Sequence, residues 1–336
     1  MIQAPRQTRP FKGDICRRKA VETGNNSDRF NSVTNSMKTF LITGGAGFIG
    51  TNLVKYLVGE GYAVIVVDDL SAGDAMRLPP EVTFHQFDIR DTQTLAAMCV
   101  GVDIVVHLAA FPQTQFSIDE PVISHDVNVN GTLSVLEAVR QAGVKRVVYA
   151  ASAGVYGDQL VTRLTTDLRV HPKTPYALHK YIGEEYMRLW SELFGIETVS
   201  LRFFNVYGPH LDPDGAYALV IGRFLKQVAM HEALTITGDG EQTRDFIHVC
   251  DIARAIEKAA LSDAVGKGDV LNIGSGVQTT INEVARLISS NITYVPARIE
   301  IRSTEADIDE TVKLLNWQPT IALVEGLADL KKEFGL

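Results

Sequence analysis

Several features that mark specialised classes of protein are scarce or missing in this sequence of 336 residues. It has three cysteines, widely spaced and odd in number, which predict neither a disulfide framework nor a zinc site and suit a reducing cytoplasm. Its formal net charge of −8 argues against nucleic-acid binding, which needs a basic face. No apolar run reaches the roughly 18 residues of a membrane span. We therefore expect a globular cytoplasmic protein that binds no metal, nucleic acid or membrane.

The chain divides into a polar beginning and an alternating α/β remainder. Residues 1–37 are rich in arginine and lysine and show no sustained period, which predicts a flexible N-terminal extension. Short apolar, strand-like runs then lie at 39–43, 62–69, 82–88, 103–110, 145–152 and 197–205. Segments with helical spacing lie between them at 48–61, 91–99, roughly 121–141 and roughly 176–194. This alternation predicts a Rossmann-type, doubly wound parallel sheet over residues 38–205.

The alternation breaks after residue 205. A stretch rich in glycine, proline and aspartate follows, with one helix near 218–230, a strand-like run at 270–276 and a helix at 280–290. We predict that 206–336 form mainly a smaller α/β domain that binds the substrate. Segments around 247–275 are expected to return to the first domain.

A glycine-rich turn follows the first strand and opens the first helix. Glycines there permit a tight turn, let the backbone approach a pyrophosphate, and leave the helix N-terminus facing its negative charge. The turn residues expected to contact a dinucleotide are Gly44, Gly47, Phe48, Ile49 and Gly50. Asp68 closes the second strand about 20 residues on, placed for a ribose diol. Because an acid there repels a 2′-phosphate, NAD is favoured over NADP.

Five further residues, in three segments of the chain, suggest a site at the carboxyl ends of the strands. Asp88 and Ile89 end the third strand and could contact adenine, although a turn or helix-capping role for Asp88 is equally open. Tyr176 and Lys180 lie at i and i+4, hence on one helix face, and Ser152 ends the fifth strand. A phenol needs a nearby ammonium to act as a base at neutral pH. Together these residues predict proton transfer to and from a substrate hydroxyl.

Ordered motifs along the chain carry a resemblance to a known family. They comprise the turn at 43–50, HLAA at 107–110, NVNGT at 128–132, Ser152 with VYG at 155–157, the Tyr176/Lys180 pair, LRFFNVYGP at 201–209, GDGEQTRDF at 238–246 and NIGSG at 272–276. With these motifs the sequence resembles the extended short-chain dehydrogenases/reductases. It is most similar to the NAD-dependent nucleotide-sugar epimerase/dehydratase family, from about residue 38 to the end of the chain.

The resemblance implies a role for each matching residue. Tyr176 would deprotonate the sugar 4-hydroxyl with help from Ser152, and Lys180 would hold the nicotinamide ribose. Further cofactor contacts would come from Leu108, Ala109, Ala110 and Asn128. Asn205 and Arg244 would bind the substrate, Arg244 through its diphosphate. The resemblance also implies a homodimer formed by helices such as 121–141 and 176–194.

The residues after Ser152 bear on the reaction. Family dehydratases carry an acidic pair there and decarboxylases keep a glutamate, whereas this chain has Ala153 and Gly154. The resemblance therefore implies a nucleotide-sugar 4-epimerase working through a 4-keto intermediate. A dehydratase, decarboxylase or 4-ketoreductase of the same family is the alternative, and a catalytically silent NAD-binding protein is a third hypothesis.

The sugar is less constrained than the reaction. In similar 4-epimerases the residue three before an Ala-Asp-Ile aspartate borders the sugar 2-substituent, and here it is the small Thr304. UDP-glucose/UDP-galactose and UDP-GlcNAc/UDP-GalNAc would both fit. Two segments depart from the family pattern, the loop at 111–116 and the shortened stretch containing Arg298, which would line the substrate site.

Overall fold

The fold is known from a computed structural model that describes residues 37–213, 220–297 and 302–336. The predicted extension up to residue 36, and Arg298, lie outside these ranges. The strands are β1 Thr39–Thr43, β2 Ala63–Asp68, β3 Thr83–Gln86, β4 Ile104–His107, β5 Arg146–Ser152, β6 Arg163–Leu164, β7 Glu197–Phe203, β8 Asn205–Tyr207, β9 Leu234–Thr237, β10 Thr243–His248, β11 Lys267–Ile273, β12 Gln278–Thr280, β13 Ile292–Val295 and β14 Glu305–Ala306. The α-helices are Phe48–Gly59, Thr92–Met98, Thr114–Asp119, Pro121–His125, Gly131–Ala142, Pro175–Phe194, Val220–Ala229, Val249–Leu261, Ile281–Ile288, Asp309–Leu315 and Leu323–Glu333.

A seven-stranded sheet in the order β11-β7-β5-β4-β1-β2-β3 forms the centre, and every neighbouring pair in it is parallel. The central strands β1, β2 and β4 are largely apolar, as is typical where helices cover both faces of a sheet. Phe40, Leu41 and Ile42 in β1, for example, are fully buried. Helices 48–59 and 249–261 pack on one face, and helices 92–98, 131–142 and 175–194 on the other. The predicted doubly wound α/β fold is confirmed.

Two elements differ from the sequence expectation. The helix predicted over 121–141 consists of two α-helices joined by a π-helical segment, Asp126–Asn130. The strand predicted over 197–205 ends at Phe203, where the Phe204 N–H donates to Ile273 O, and β8 then pairs with β10. Hydrophobic period alone reports neither change, because both are local changes of backbone geometry within an apolar run.

Besides the central sheet, the described residues form three small sheets, and all of their strands except β6 lie after residue 203. β8, β10 and β12 form one, while β9 pairs with β13 and β6 with β14. Helices 220–229, 281–288 and 323–333 share a separate apolar cluster that includes Phe224, Ile281 and Leu327. Helix 249–261 and β11, by contrast, belong to the central sheet and its covering layer. None of the helices in the described ranges is long and apolar enough to cross a membrane.

Candidate active site

A cavity of about 480 Å³ opens at the carboxyl ends of the central strands. This is the place where doubly wound sheets bind ligands, and the volume suits a small molecule or cofactor. Predicted site residues that line it are Gly44, Gly47, Phe48, Ile49, Gly50, Asp68, Asp88, Ile89, Leu108, Ala109, Ala110, Tyr176 and Lys180. Predicted residues from Gly44 to Lys180, far apart in the sequence, thus meet around one cavity.

The glycine turn is shaped so that side chains would obstruct it. Gly44 has φ of +71°, and a Cβ on it would lie 2.6 Å from Ala109 N. A Cβ on Gly50 would overlap the Gly44 carbonyl oxygen, so helix 48–59 could not pack this closely on the turn. The N-terminal turn of the helix faces the cavity. This close-packed cradle fits a dinucleotide pyrophosphate.

Asp68 joins the glycine turn to the loop that follows β2. One carboxylate oxygen accepts from the Ala46 N–H at 3.0 Å and the other from the Leu70 N–H at 2.9 Å. Burial raises the pKa of the Asp68 carboxyl, while the two N–H donors oppose the rise. The side chain therefore both fixes the turn and presents acceptor oxygens to the cavity, as recognition of a ribose diol requires.

His107 supports the glycine turn through buried hydrogen bonds, a role that the sequence did not reveal. Its Nδ1 lies 2.7 Å from Thr43 Oγ1 and its Nε2 lies 2.9 Å from Thr132 Oγ1. The Thr132 hydroxyl donates to Asn128 O, so Nε2–H donates to Thr132 and the Thr43 hydroxyl donates to Nδ1. Burial, with the nearby Lys180 charge, lowers the pKa of His107 to about 3. The ring is neutral at physiological pH and links β1, β4 and helix 131–142.

The helix that carries Tyr176 and Lys180 is capped by two residues. Thr174 Oγ1 accepts from the Ala177 N–H at 3.2 Å, and Pro175 occupies the first turn, where its missing N–H has no cost. The Tyr176 N–H donates to Ser117 Oγ at 3.1 Å, and that hydroxyl donates to Thr114 O. Ser117 therefore connects helix 175–194 to helix 114–119. No local sequence signal pairs positions 59 residues apart.

Lys180 reaches under the cavity from the same helix face as Tyr176. Its ammonium donates to Ala150 O at 2.7 Å and lies 4.8 Å from the centre of the Tyr149 ring. Burial lowers the pKa of Lys180 to about 7, opposed by the Glu184 carboxylate one turn along the helix. A group that titrates this close to neutrality suits the electrostatic tuning of a neighbouring phenol.

Glu184 is itself neutralised in a buried pair. Its carboxylate accepts two hydrogen bonds from the Arg202 guanidinium, at 2.9 and 2.8 Å, and the side chains are 2% and 4% exposed. The guanidinium also lies 4.6 Å from the centre of the Tyr156 ring, whose hydroxyl donates to Asn272. These contacts connect helix 175–194, through Glu184, to Arg202 in β7 and to Asn272 in β11.

Ser152 and Asn128, two of the predicted site residues, are not among the residues that line the cavity. Ser152 ends β5 next to Ala150 and Ala151, which do line the cavity, and its Oγ accepts from the Gly154 N–H at 3.1 Å. Asn128 accepts from the Phe111 N–H at 2.7 Å and donates to the Phe111 carbonyl at 3.0 Å. It thereby fixes the start of the loop that departs from the family pattern.

The predicted substrate residues gather around Asp245, whose importance the sequence did not reveal. Asp245 is fully buried, and its carboxylate accepts from Ser275 N–H and O–H, Gly276 N–H and Ala306 N–H. Asn205 donates to the Asp245 carbonyl at 2.9 Å, while Arg244 precedes it in β10 and donates to Thr243 O. Half-buried Thr304 immediately precedes β14. None of these residues lines the cavity: Asn205, Arg244 and Asp245 lie in β8 and β10 of a small sheet, and Thr304 lies next to β14.

Comparison with known proteins decides the family. The profile described as the NAD dependent epimerase/dehydratase family matches residues 40–274. The chain belongs to this family. A UDP-glucose 4-epimerase from Mycolicibacterium smegmatis is 34% identical over 302 residues, which cover 86% of this chain and 96% of that protein.

Solved structures of this family of epimerases/dehydratases share its fold. The UDP-glucose 4-epimerase of Thermotoga maritima, solved with UDP-glucose, has a TM-score of 0.83 at 34% identity and covers 88% of this chain and 98% of that one. The UDP-N-acetylglucosamine 4-epimerase of Methanobrevibacter ruminantium, solved with UDP-N-acetylmuramic acid, has a TM-score of 0.84 at 32% identity, with 89% and 99% covered.

The cofactor of this epimerase/dehydratase is NAD. Family membership gives the cofactor, and the geometry fits it: the turn around Gly44 and Gly50 has no room for side chains, and Asp68 presents a carboxylate at the end of β2. Tyr176 and Lys180 line the same cavity. The protein is thus an enzyme of the nucleotide-sugar epimerase/dehydratase family that acts through NAD.

Proposed function

We propose that this enzyme interconverts UDP-sugars that differ in configuration at C4, through a transient 4-keto sugar. The observation that carries the proposal is the combination of Tyr176 and Lys180 in the NAD cavity with Ala153 and Gly154 directly after Ser152. The first pair supplies proton transfer at a sugar hydroxyl. The second pair supplies no group for a further reaction of the ketone.

We propose the following roles, which the family resemblance implies and the cavity positions of Tyr176 and Lys180 support. Tyr176 takes the proton of the 4-hydroxyl and returns it at the end of the cycle, and Ser152 hydrogen bonds to the same oxygen. Lys180, buried and fixed by Ala150 O, favours the ionised phenol and holds the cofactor ribose. Bound NAD supplies the hydride acceptor, and its reduced form the hydride donor. Because the hydride is returned, the reaction consumes no net cofactor.

The segment after Ser152 argues against elimination and decarboxylation. Ala153–Tyr156 forms a short 3-10 turn whose Gly154 N–H is bonded to Ser152 Oγ. Neither Ala153 nor Gly154 can donate or accept a proton through a side chain, whereas loss of water needs a general acid and a general base. A dehydratase, decarboxylase or 4-ketoreductase remains the alternative function. A silent NAD-binding protein is disfavoured because both Tyr176 and Lys180 are present.

The proposed substrate class depends on residues in and next to the small sheets. We propose that Arg244 binds the diphosphate, where a guanidinium makes strong charge-assisted hydrogen bonds, and that Asn205 binds the sugar. Thr304 leaves room for a hydroxyl or an N-acetyl group at C2. The relatives named as UDP-glucose and UDP-N-acetylglucosamine 4-epimerases support both possibilities. Arg298, also proposed for this site, lies outside the described residues.

We further propose a homodimer formed through helices 114–119, 121–125 and 175–194. Large apolar side chains are exposed on these helices: Ile118, Val122, Ile123, Leu178, Leu193 and Phe194. Exposed apolar patches of this kind mark association surfaces. Val122→Glu should give a monomer in light scattering, whereas Val324→Glu, at another exposed valine on helix 323–333, should leave the dimer intact. Dimer formation by both variants, or by neither, would contradict this interface.

The test of the reaction is product analysis. Purified protein is incubated with UDP-glucose and, separately, with UDP-GlcNAc, and the products are resolved by anion exchange and mass spectrometry. A new peak of unchanged mass, formed without added NAD, is expected for at least one substrate. A product lighter by water, or net formation of NADH, would replace the proposal by one of its alternatives.

A further inference from the structure

A cluster of charged residues flanks the cavity near Asp68. Arg77 lines the cavity together with Asp74, in the segment that follows β2. The Asp74 N–H donates to Ala46 O at 3.0 Å, so this segment folds back onto the glycine turn. The Asp74 carboxylate in turn pairs with Arg77 Nε at 3.3 Å, in a partly exposed ion pair.

A second loop meets this guanidinium from the opposite side. Asn52, one turn into helix 48–59, donates both to Phe48 O and to Pro209 O, so residues 208–212 lie across the start of this helix. The next carbonyl, of His210, accepts from Arg77 Nη1 at 3.3 Å. The guanidinium is therefore held beside the first helical turn, on the side where a pyrophosphate is expected.

His210 is fixed by further contacts that a simple surface loop does not need. It has φ of +66°, an unusual backbone conformation for a residue other than glycine, and it lines the cavity. Its Nε2 lies 2.7 Å from Lys55 Nζ, and its N–H donates to the Glu333 carboxylate of helix 323–333. Burial and the Lys55 and Arg77 charges lower the pKa of His210 to about 4, so the neutral ring accepts from the Lys55 ammonium.

We propose that Arg77 and the 208–212 loop form a clasp that retains NAD, with the Arg77 guanidinium binding the pyrophosphate oxygens. A guanidinium has five N–H donors in a planar fork, and Asp74 and His210 engage only part of that fork. The clasp closes the side of the site that the glycine turn leaves open. This inference rests on NAD binding and is independent of which sugar reaction the enzyme catalyses.

The test is the rate of NAD release from Arg77→Gln after dilution, followed by rapid filtration and measurement of the cofactor that stays with the protein. We expect roughly tenfold faster release than from the wild type, the effect of losing one charge-assisted phosphate contact. Release from the wild type should also accelerate more steeply with salt than release from the variant. The matched control is Arg188→Gln, which removes an exposed arginine paired with Glu185 and Glu192 and absent from the cavity lining.

Two further arms keep the clasp falsifiable. His210→Gly retains the carbonyl and tolerates the left-handed backbone but removes the ring that meets Lys55, so it should release NAD at a rate between wild type and Arg77→Gln. If Arg77 instead serves a 2′-phosphate, Arg77→Gln would weaken NADP binding and leave NAD release unchanged, which overturns the proposal. Equal NAD release from wild type and both variants would overturn it as well.

Discussion

Replacing Glu184 by glutamine removes the negative charge that accompanies the Arg202 guanidinium inside the protein. Both side chains are almost wholly buried, and two hydrogen bonds of 2.8 and 2.9 Å join them. In the variant an amide nitrogen, itself a donor, would face one guanidinium N–H group. Glu184 also favours the charged form of Lys180 one turn away, so two buried cations would lose their nearest anion.

The expected magnitude follows from this burial. Breaking a buried pair by removing one partner costs about 3–5 kcal/mol in the free energy of unfolding, because a desolvated charge is left uncompensated. The double variant Glu184→Leu/Arg202→Met removes both charges of the pair, so neither is left buried without its partner. The double variant should therefore be more stable than Glu184→Gln, and within about 2 kcal/mol of the wild type.

The assay is urea unfolding of the NAD-loaded protein, followed by far-UV circular dichroism and tryptophan fluorescence. Glu192→Gln serves as the control, because it breaks an exposed pair with Arg188 and should cost less than about 1 kcal/mol. A loss below about 1 kcal/mol in Glu184→Gln would refute the reasoning. So would a double variant less stable than the single one.

Three further predictions concern the site itself. Tyr176→Phe should lower kcat by about 10²–10⁴, the usual contribution of a general acid–base, while bound NAD measured by absorbance stays at the wild-type level; full turnover would refute its role. Gly50→Ala should lose NAD on purification because its Cβ would overlap the Gly44 carbonyl, whereas Gly47→Ala, whose Cβ would lie 3.4 Å from the same oxygen, should retain more; the reverse order would contradict the steric argument. His107 has a folded pKa of about 3 against an unfolded value near 6.5, so the stability it contributes is complete above about pH 6.5 and is lost as the pH falls toward 3. Unfolding free energies of His107→Gln should therefore fall less steeply than those of the wild type between pH 6 and 4, by about 1.4 kcal/mol per pH unit, and parallel curves would show that His107 does not stay neutral.

Short motifs of defined spacing in the sequence predict the residues of the glycine turn and of the cavity next to it. The glycines at 44, 47 and 50, Asp68, and the Tyr176/Lys180 pair each follow from a short segment whose spacing has a physical meaning. The central parallel strands could be predicted from the sequence equally well, because burial on both faces makes them largely apolar. Their order in the sheet and the cavity they form agree with the α/β pattern.

The residues that hold the site in place could not be predicted from the sequence in the same way. Asp245 accepts from positions 30 to 61 residues away, and Ser117 accepts from the Tyr176 N–H across 59 residues. Arg77 reaches the His210 carbonyl 133 positions on. Such pairs are created by the fold, and no periodicity or short motif encodes them. A single sequence therefore identifies the groups that do chemistry more readily than those that position them.

The most direct test of 4-epimerisation uses a UDP-sugar carrying deuterium at C4, with whichever of UDP-glucose or UDP-GlcNAc is turned over. If the hydride leaves C4 and returns to its opposite face within the same site, the epimer keeps the deuterium at C4 and its mass equals that of the labelled substrate. The account predicts this retention, in ordinary water and without added NAD. An epimer that has exchanged its C4 deuterium for solvent hydrogen, or a labelled product of lower mass, would contradict it.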